Sequence, residues 1–278
     1  MVESTGRRGR KPGSGPGAAD SDQESLTLQE LPPGLELLWG RRERGRTGPK
    51  PSLTIEKIVQ TAISIADAEG LAAVSMARLA RELGFTTMSL YRYVRSKDEL
   101  HLLMWNSSAV DLPRISGDGW RELLTDWAEQ QRRGLMSRSW LLEISIGAPP
   151  AGPLALAWLE QAIAALADTP LTETDKINIV GMVSMYTLGD ARISHLASVE
   201  AAMSGMPEAD YAAVLRTVTT EAEHPALHRL AWSVEMTQRP DPGELPDDVD
   251  MNLLGWRFGL DCILDGVEKL VERRSAES

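Results

Sequence analysis

At 278 residues and 42% hydrophobic composition, the chain is long enough for two helical domains and apolar enough to bury a core, which excludes global disorder. It has no apolar run near the ~20 residues a membrane span requires, and its one cysteine, Cys262, excludes an intramolecular disulfide and a cysteine-based metal cluster. The net charge of −11 looks unsuited to DNA, but Gly40 to His101 carries 11 Lys/Arg against 7 Asp/Glu, whereas Leu102 onward carries 14 against 27. A basic first third joined to an acidic remainder suggests a nucleic-acid-binding part attached to a part with another task. The basic N-terminus has no apolar stretch behind it, so a secretory signal is not expected and the expected location is cytoplasmic.

Residues 1–24 are rich in Gly, Ser, Pro and charge and read as a disordered basic tail; residues 25–52 read as an extension and a basic arm. Within the extension, the apolar patch from Leu31 to Trp39 is expected to dock on a folded domain. Arg41, Arg42, Arg44 and Arg46 lie among glycines, a composition suited to a DNA minor groove, and Arg7 to Lys11 repeat it nearer the start. For both segments the alternative is a solubilising tail.

Helical periodicity begins at Thr54. Ile55, Ile58, Val59, Ala62, Ile65 and Ala66 fall on one face, with Thr54 as N-cap and Gly70 as the closing glycine. Ser75 caps a short helix bearing Met76, Leu79, Ala80 and Leu83, stopped by Gly84. A third helix starts near Thr86 or Thr87 and carries Leu90, Tyr91 and Val94. Ser96 to Glu99 reads as a capping box opening a fourth helix through Leu100, Leu103 and Met104. Further helices are expected near 118–134, 138–146, 153–167, 172–198, 208–221, 225–237 and 249–273, with a loop at 241–248. Strand-like alternation is nearly absent, so the class is all-α, with a DNA-binding domain at 53–110 and a larger helical domain at 111–278.

Two short helices joined by a glycine turn, from Ser75 to Tyr93, form a helix-turn-helix pattern, whose second helix enters the major groove. Such a helix needs short polar side chains at its start, here Thr86, Thr87 and Ser89, and phosphate contacts at its flanks, here Tyr91, Arg92, Tyr93 and Lys97. The blander alternatives are a Tyr91 ring packed under the turn and a Lys97 that is a solvated helix-start residue.

The strings LTIEKIV (53–59), AEGLAAVSM (68–76) and GFTTMSLYRYVRSKDEL (84–100) resemble the DNA-binding domain of the TetR family. The family's Leu-Tyr pair, aromatic two places on and following lysine are met by Leu90, Tyr91, Tyr93 and Lys97. The resemblance implies a three-helix DNA-binding domain joined by a fourth helix to a ligand domain. It places Thr86, Thr87, Met88 and Tyr93 at or near bases. Ser75, Ser89, Tyr91 and Lys97 match positions that hold the DNA backbone or serve both roles, and Arg92 falls where the family varies. Met88 departs in kind: it can touch a thymine methyl but cannot donate a hydrogen bond. More weakly, GWREL (119–123), HPAL (224–227) and FGLDCILDGVE (258–268) resemble the C-terminal domain of the tetracycline-repressor branch. That implies a homodimer formed by the helices at 172–198 and 249–273, which also suits two recognition helices reading a palindrome.

The expected ligand wall is Trp140, Trp158, Met182, Met185, Tyr186, Gly189 and His195, with ordinary core or dimer packing as the alternative. No catalytic constellation, cofactor loop or metal site is expected; His224 and His228 have metal spacing, but Pro225 marks His224 as a helix start. The function implied is a ligand-responsive repressor that binds a double-stranded operator as a homodimer and is released by a small-molecule effector. The rival readings are an activator or ligand-independent DNA binder of the same fold, and a helical small-molecule enzyme or carrier.

Overall fold

The computed structural model describes residues 34–39, 53–109, 112–145, 151–204, 211–233 and 251–277. Among them there are helices and turns and no strand, as the all-α reading expects. In chain order the helices are α1 (Leu35–Leu38), α2 (Ile55–Glu69), α3 (Met76–Leu83), α4 (Thr87–Tyr91), α5 (Lys97–Ser108), α6 (Trp120–Ser137), α7 (Pro153–Ala165), α8 (Glu173–Ser204), α9 (Tyr211–Val218), α10 (Pro225–Ala231) and α11 (Met251–Glu277). No helix of the described residues is long and apolar enough to cross a membrane. The tail at 1–24, Arg41, Arg42, Arg44, Arg46 and the loop at 241–248 lie outside the described residues.

The first four core-forming helices start as their side chains dictate. Thr54, Ser75, Thr86 and Ser96 are extended residues whose hydroxyls accept from the amides of Lys57, Arg78, Ser89 and Glu99, which satisfies donors the helix itself leaves open. The expected capping box at Ser96 is displaced by one residue: Glu99 takes the Arg95 amide rather than that of the cap. The apolar face of α2 is buried as read, with Ile63 added and Ile55 half-buried. Several elements differ from expectation: α8 runs on to Ser204, α9 ends at Val218 and α10 at Ala231. The stretch 138–146 is a 3₁₀ turn, Ser139–Glu143, because Trp140, Leu141, Leu142 and Ile144 are all buried and an α-helix cannot turn so many consecutive side chains inward. α4 ends at Tyr91, so Val94 lies beyond the helix although it is fully buried.

Two apolar clusters organise the molecule. The first joins α2 to α5 and also takes in Leu37 of α1, Leu135 of α6, the 139–143 turn and Ala191 of α8. The second joins Leu124 and Trp127 of α6, Trp158 of α7, Val180 and Val183 of α8, and Trp256 and Leu260 of α11. Ion pairs reinforce the second: Arg121 reaches Asp265 at 2.6 Å and Glu268 at 3.4 Å, Arg257 pairs with Glu129, and Arg274 meets Asp175 at 3.1 Å. Hydrogen bonds from Thr172 and Arg274 hold the Asp175 carboxyl below its ordinary range. The patch expected to dock does so through α1: Leu37 is buried, and Trp39 donates from Nε1 to Ala151 O at 2.9 Å.

Candidate nucleic-acid interface and ligand domain

Gly84 makes the helix-turn-helix possible. At φ 73° and ψ 31° it is left-handed, a conformation a side chain resists, and it ends α3 with two bonds: Phe85 N–H to Ala80 O at 2.8 Å and Gly84 N–H to Arg81 O at 3.3 Å. The turn delivers α4 with Leu90 fully buried under it and Val94 pinning the segment that follows. Those anchors leave Met88 73% and Tyr91 43% exposed, with Arg92 and Lys97 also exposed and Thr87, Ser89 and Tyr93 half-buried. A short helix held from beneath and presenting small polar, apolar and aromatic side chains outward has the form of a major-groove reader.

Three of the hydroxyls read as DNA contacts, those of Ser75, Thr86 and Ser89, are already engaged. Ser75 Oγ accepts from Arg78 N–H at 3.2 Å, and Thr86 Oγ1 lies 2.9 Å from Ser89 Oγ while accepting the Ser89 amide. Thr86 therefore offers DNA its methyl more readily than its hydroxyl. Arg78 is held by Glu69 at 2.8 Å and Glu82 at 3.6 Å, which removes it from the set of available cations. Arg81 and Arg95, which sequence reasoning passed over, are exposed on either side of α4 in the chain. The signal for Arg81 was the absence of an acidic residue three or four positions away, whereas Arg95 has Asp98 and Glu99 at those spacings.

The seven residues expected to form a ligand wall do not all come together: Trp158 and Tyr186 share the second cluster, and the others lie elsewhere. Trp140 lies in the first cluster and donates from Nε1 to Asp67 Oδ1 at 2.7 Å, with Arg138 Nε 3.4 Å from the same oxygen. It therefore ties the 139–143 turn to α2 at the domain junction, where it lines an open cleft of about 510 Å³ with Asp67, Gly70, Arg138 and Glu143. Trp158 lies in the second cluster, stacked on Trp127 with centroids 5.7 Å apart. Met182 and Met185 face outward on α8, 41% and 70% exposed. With Gly189, Ile193, Leu196 and Val199 they follow a spacing of 3, 4, 4, 3 and 3, one stripe along the helix. Tyr186 is half-buried and donates to Trp256 O at 2.9 Å; burial and the nearby Asp190 raise its pKa. His195 is half-buried further along α8.

One contact between the domains had no signal in the sequence. Asn106, buried on α5, accepts at Oδ1 from Leu154 N–H at 3.1 Å and Ala155 N–H at 3.2 Å. These are the second and third residues of α7, so Asn106 caps that helix from a different one. Gly152, at the cap position itself, has no side chain to do so, and a Cβ there would fall 2.2 Å from Asn106 Oδ1.

A helix-turn-helix domain packed on a larger helical domain defines a DNA-binding transcriptional regulator, and the chain belongs to the TetR family. Residues 58–103 match the bacterial regulatory proteins of the tetR family, and residues 112–271 match the tetracyclin repressor-like C-terminal domain. The chain is 37% identical over 251 residues to the HTH-type transcriptional repressor DrrR1 of Streptomyces coeruleorubidus, covering 88% of each protein. Among solved structures it is similar to apo ActR of Streptomyces coelicolor, at 26% identity and a TM-score of 0.61 over 78% of this chain and 97% of that one. ActR in complex with actinorhodin gives 26% identity and 0.61 over 80% and 99%.

Proposed function

We propose that this protein is a transcriptional repressor that binds a palindromic operator as a homodimer in the bacterial cytoplasm and is released by a small-molecule effector. The observation that carries the reading is the anchored, outward-facing α4: Leu90 and Val94 are fully buried beneath it, while Met88, Tyr91 and Lys97 are exposed and Thr87, Ser89 and Tyr93 half-buried. Its similarity to the repressor DrrR1 supports the sign of regulation, and the ActR complex with actinorhodin supports effector binding in the helical domain. The outward stripe on α8, beside Leu254 and Phe258 on α11, supports a second copy docking there, since a large exposed apolar strip is rarely left to water. Arg41, Arg42, Arg44 and Arg46, directly before the folded domain, would add minor-groove contacts. Coupling of ~1–3 kcal/mol between effector and operator gives roughly 5–150-fold release.

The test is binding of purified protein to fragments of its own upstream DNA across a salt series. A protected palindrome with a steep salt slope is expected, and a Tyr91→Phe, Lys97→Ala double variant should bind it far more weakly. Operator affinity unchanged by both substitutions would reject this placement of the DNA-reading surface.

A further inference from the structure

α1 lies outside both segments matched by the family, 58–103 and 112–271, and it touches the two domains at once. Its start rests on α5. Gly34 has a φ of 98°, which favours glycine, and a Cβ there would fall 3.2 Å from Leu102 Cδ2 and 3.8 Å from Glu99 Cγ. Glu99, Leu102 and Asn106 follow a spacing of 3 and 4, one face of α5. Its far end rests on the entry to α7. Trp39 donates from Nε1 to Ala151 O at 2.9 Å, and Leu38 Cδ1 stands 3.1 Å from where a Cβ on Gly152 would be. Asn106 takes the amides of Leu154 and Ala155 from the α5 side. Between the two ends, Leu37 is buried in the first cluster. A helix of four residues is too short to stand alone in water, so α1 owes its order to these contacts.

We infer that α1 is a strap across the joint between α5 and α7, and that Leu37 and Trp39 are positioning residues that fix the angle of the DNA-binding domain and so the operator spacing the protein accepts. The inference rests on reading the chain as a homodimer on a palindromic operator. Both bonds from Asn106 converge on one oxygen, which fixes a point on α7 but not an angle. Trp39 and Leu38 add a second hold on the preceding residues, Ala151 and Gly152, and two holds on one element resist rotation. The angle matters because DNA reports it: one added base pair moves two half-sites about 3.4 Å apart and turns one against the other by about 34–36°. None of these contacts involves α4, so loosening the strap leaves the DNA-reading surface intact.

Full-length Leu37→Ala, which empties the apolar seat, and Trp39→Phe, which keeps a ring and removes the donor, are compared with the parent. Leu37→Met, of similar volume, is the conservative control. Amide hydrogen exchange reads the joint: the Leu154 and Ala155 amides should exchange about three- to tenfold faster in the first two variants, with α2 to α4 unchanged and Leu37→Met parental. Anisotropy reads the angle, using the palindrome protected in the protein's own upstream DNA with one or two base pairs inserted or removed at its centre. The parent should bind the altered spacings at least roughly tenfold more weakly, and in Leu37→Ala and Trp39→Phe that penalty should shrink to about threefold while affinity for the original spacing holds within about threefold. Exchange unchanged in both variants overturns the inference. Faster exchange with an undiminished spacing penalty overturns it too, because α1 would then be a clamp with no bearing on DNA. A parent that protects no palindrome rejects the homodimer reading and the spacing role with it, whereas faster exchange would still support the strap.

Discussion

Asn106→Ala isolates the bond between the two domains. The substitution leaves the amides of Leu154 and Ala155 without their acceptor in a place where Asn106 is only 6% exposed, so water replaces it poorly. Two part-buried hydrogen bonds at about 0.5–1.5 kcal/mol each give a loss of about 1–3 kcal/mol. Removing an asparagine N-cap gives about 0.5–2 kcal/mol, which brackets the same value. With about 2–4 °C of melting temperature per kcal/mol for a chain of this size, the midpoint should fall by about 4–8 °C for a loss near 2 kcal/mol. Asn106→Asp keeps the acceptor and meets the positive end of α7, so it should recover most of the loss despite burying charge. Gly152→Ala should be as damaging as Asn106→Ala, because its Cβ would fall 2.2 Å from the same oxygen. Thermal and urea unfolding of the three variants decide the matter. If Asn106→Ala stays within about 0.5 kcal/mol of the parent, the span typical of an inconsequential surface change, the remote cap contributes nothing and the reasoning fails.

Thr86→Ala removes the α4 cap and should lower stability by about 1 kcal/mol while weakening operator binding, measured by urea unfolding and anisotropy; a stable variant with parental affinity would contradict both roles. His101, half-buried on α5, has a pKa lowered first by burial and then by Lys97. The unfolded chain therefore takes up the proton first, and stability present above pH ~6.5 should decline as pH falls toward the depressed folded value. Unfolding curves of His101→Gln should lose that part of the pH slope, and an unchanged slope would exonerate the histidine. Met185→Glu places a charge on the outward stripe of α8 and should convert a dimer to monomers in sedimentation, with folding intact because the side chain is 70% exposed; a dimer that persists would move the interface elsewhere.

The DNA-reading half was legible because each of its signals is local. Thr54, Ser75 and Ser96 act within one turn of where they stand, and Gly84 is the residue its left-handed geometry demands. The ligand half was less legible for two physical reasons. α8 is apolar on both its inward and outward faces, so periodicity alone could not say that Val183 and Thr187 point in while Met182 and Met185 point out. Asn106 meets partners 48 and 49 residues away, and a pairing of that kind leaves no spacing to recognise. Trp140 and Trp158 lie in different clusters for a similar reason: tryptophan content predicts burial but does not say in which core.

The two cores share helices, and this bears on how an effector could act. α6 places Leu124 and Trp127 in the second cluster and Leu135 in the first, while α8 places Val183 in the second and Ala191 in the first. Trp127 and Leu135 stand two turns apart on α6, so a shift of α6 against α8 in the second core would displace side chains that pack against the DNA-binding domain. From there one route runs through Arg138 and Trp140 to Asp67 on α2, and a second runs from Trp158 along α7 to Asn106 on α5. Neither route ends on α4, whose anchors Leu90 and Val94 and whose entering turn at Gly84 belong wholly to the DNA-binding domain. On the proposed function, force delivered to α2 and α5 would move that domain as a body and leave the reader intact. This arrangement favours release by changing the distance between two recognition helices, which must match one turn of DNA, over release by melting the helix that reads it.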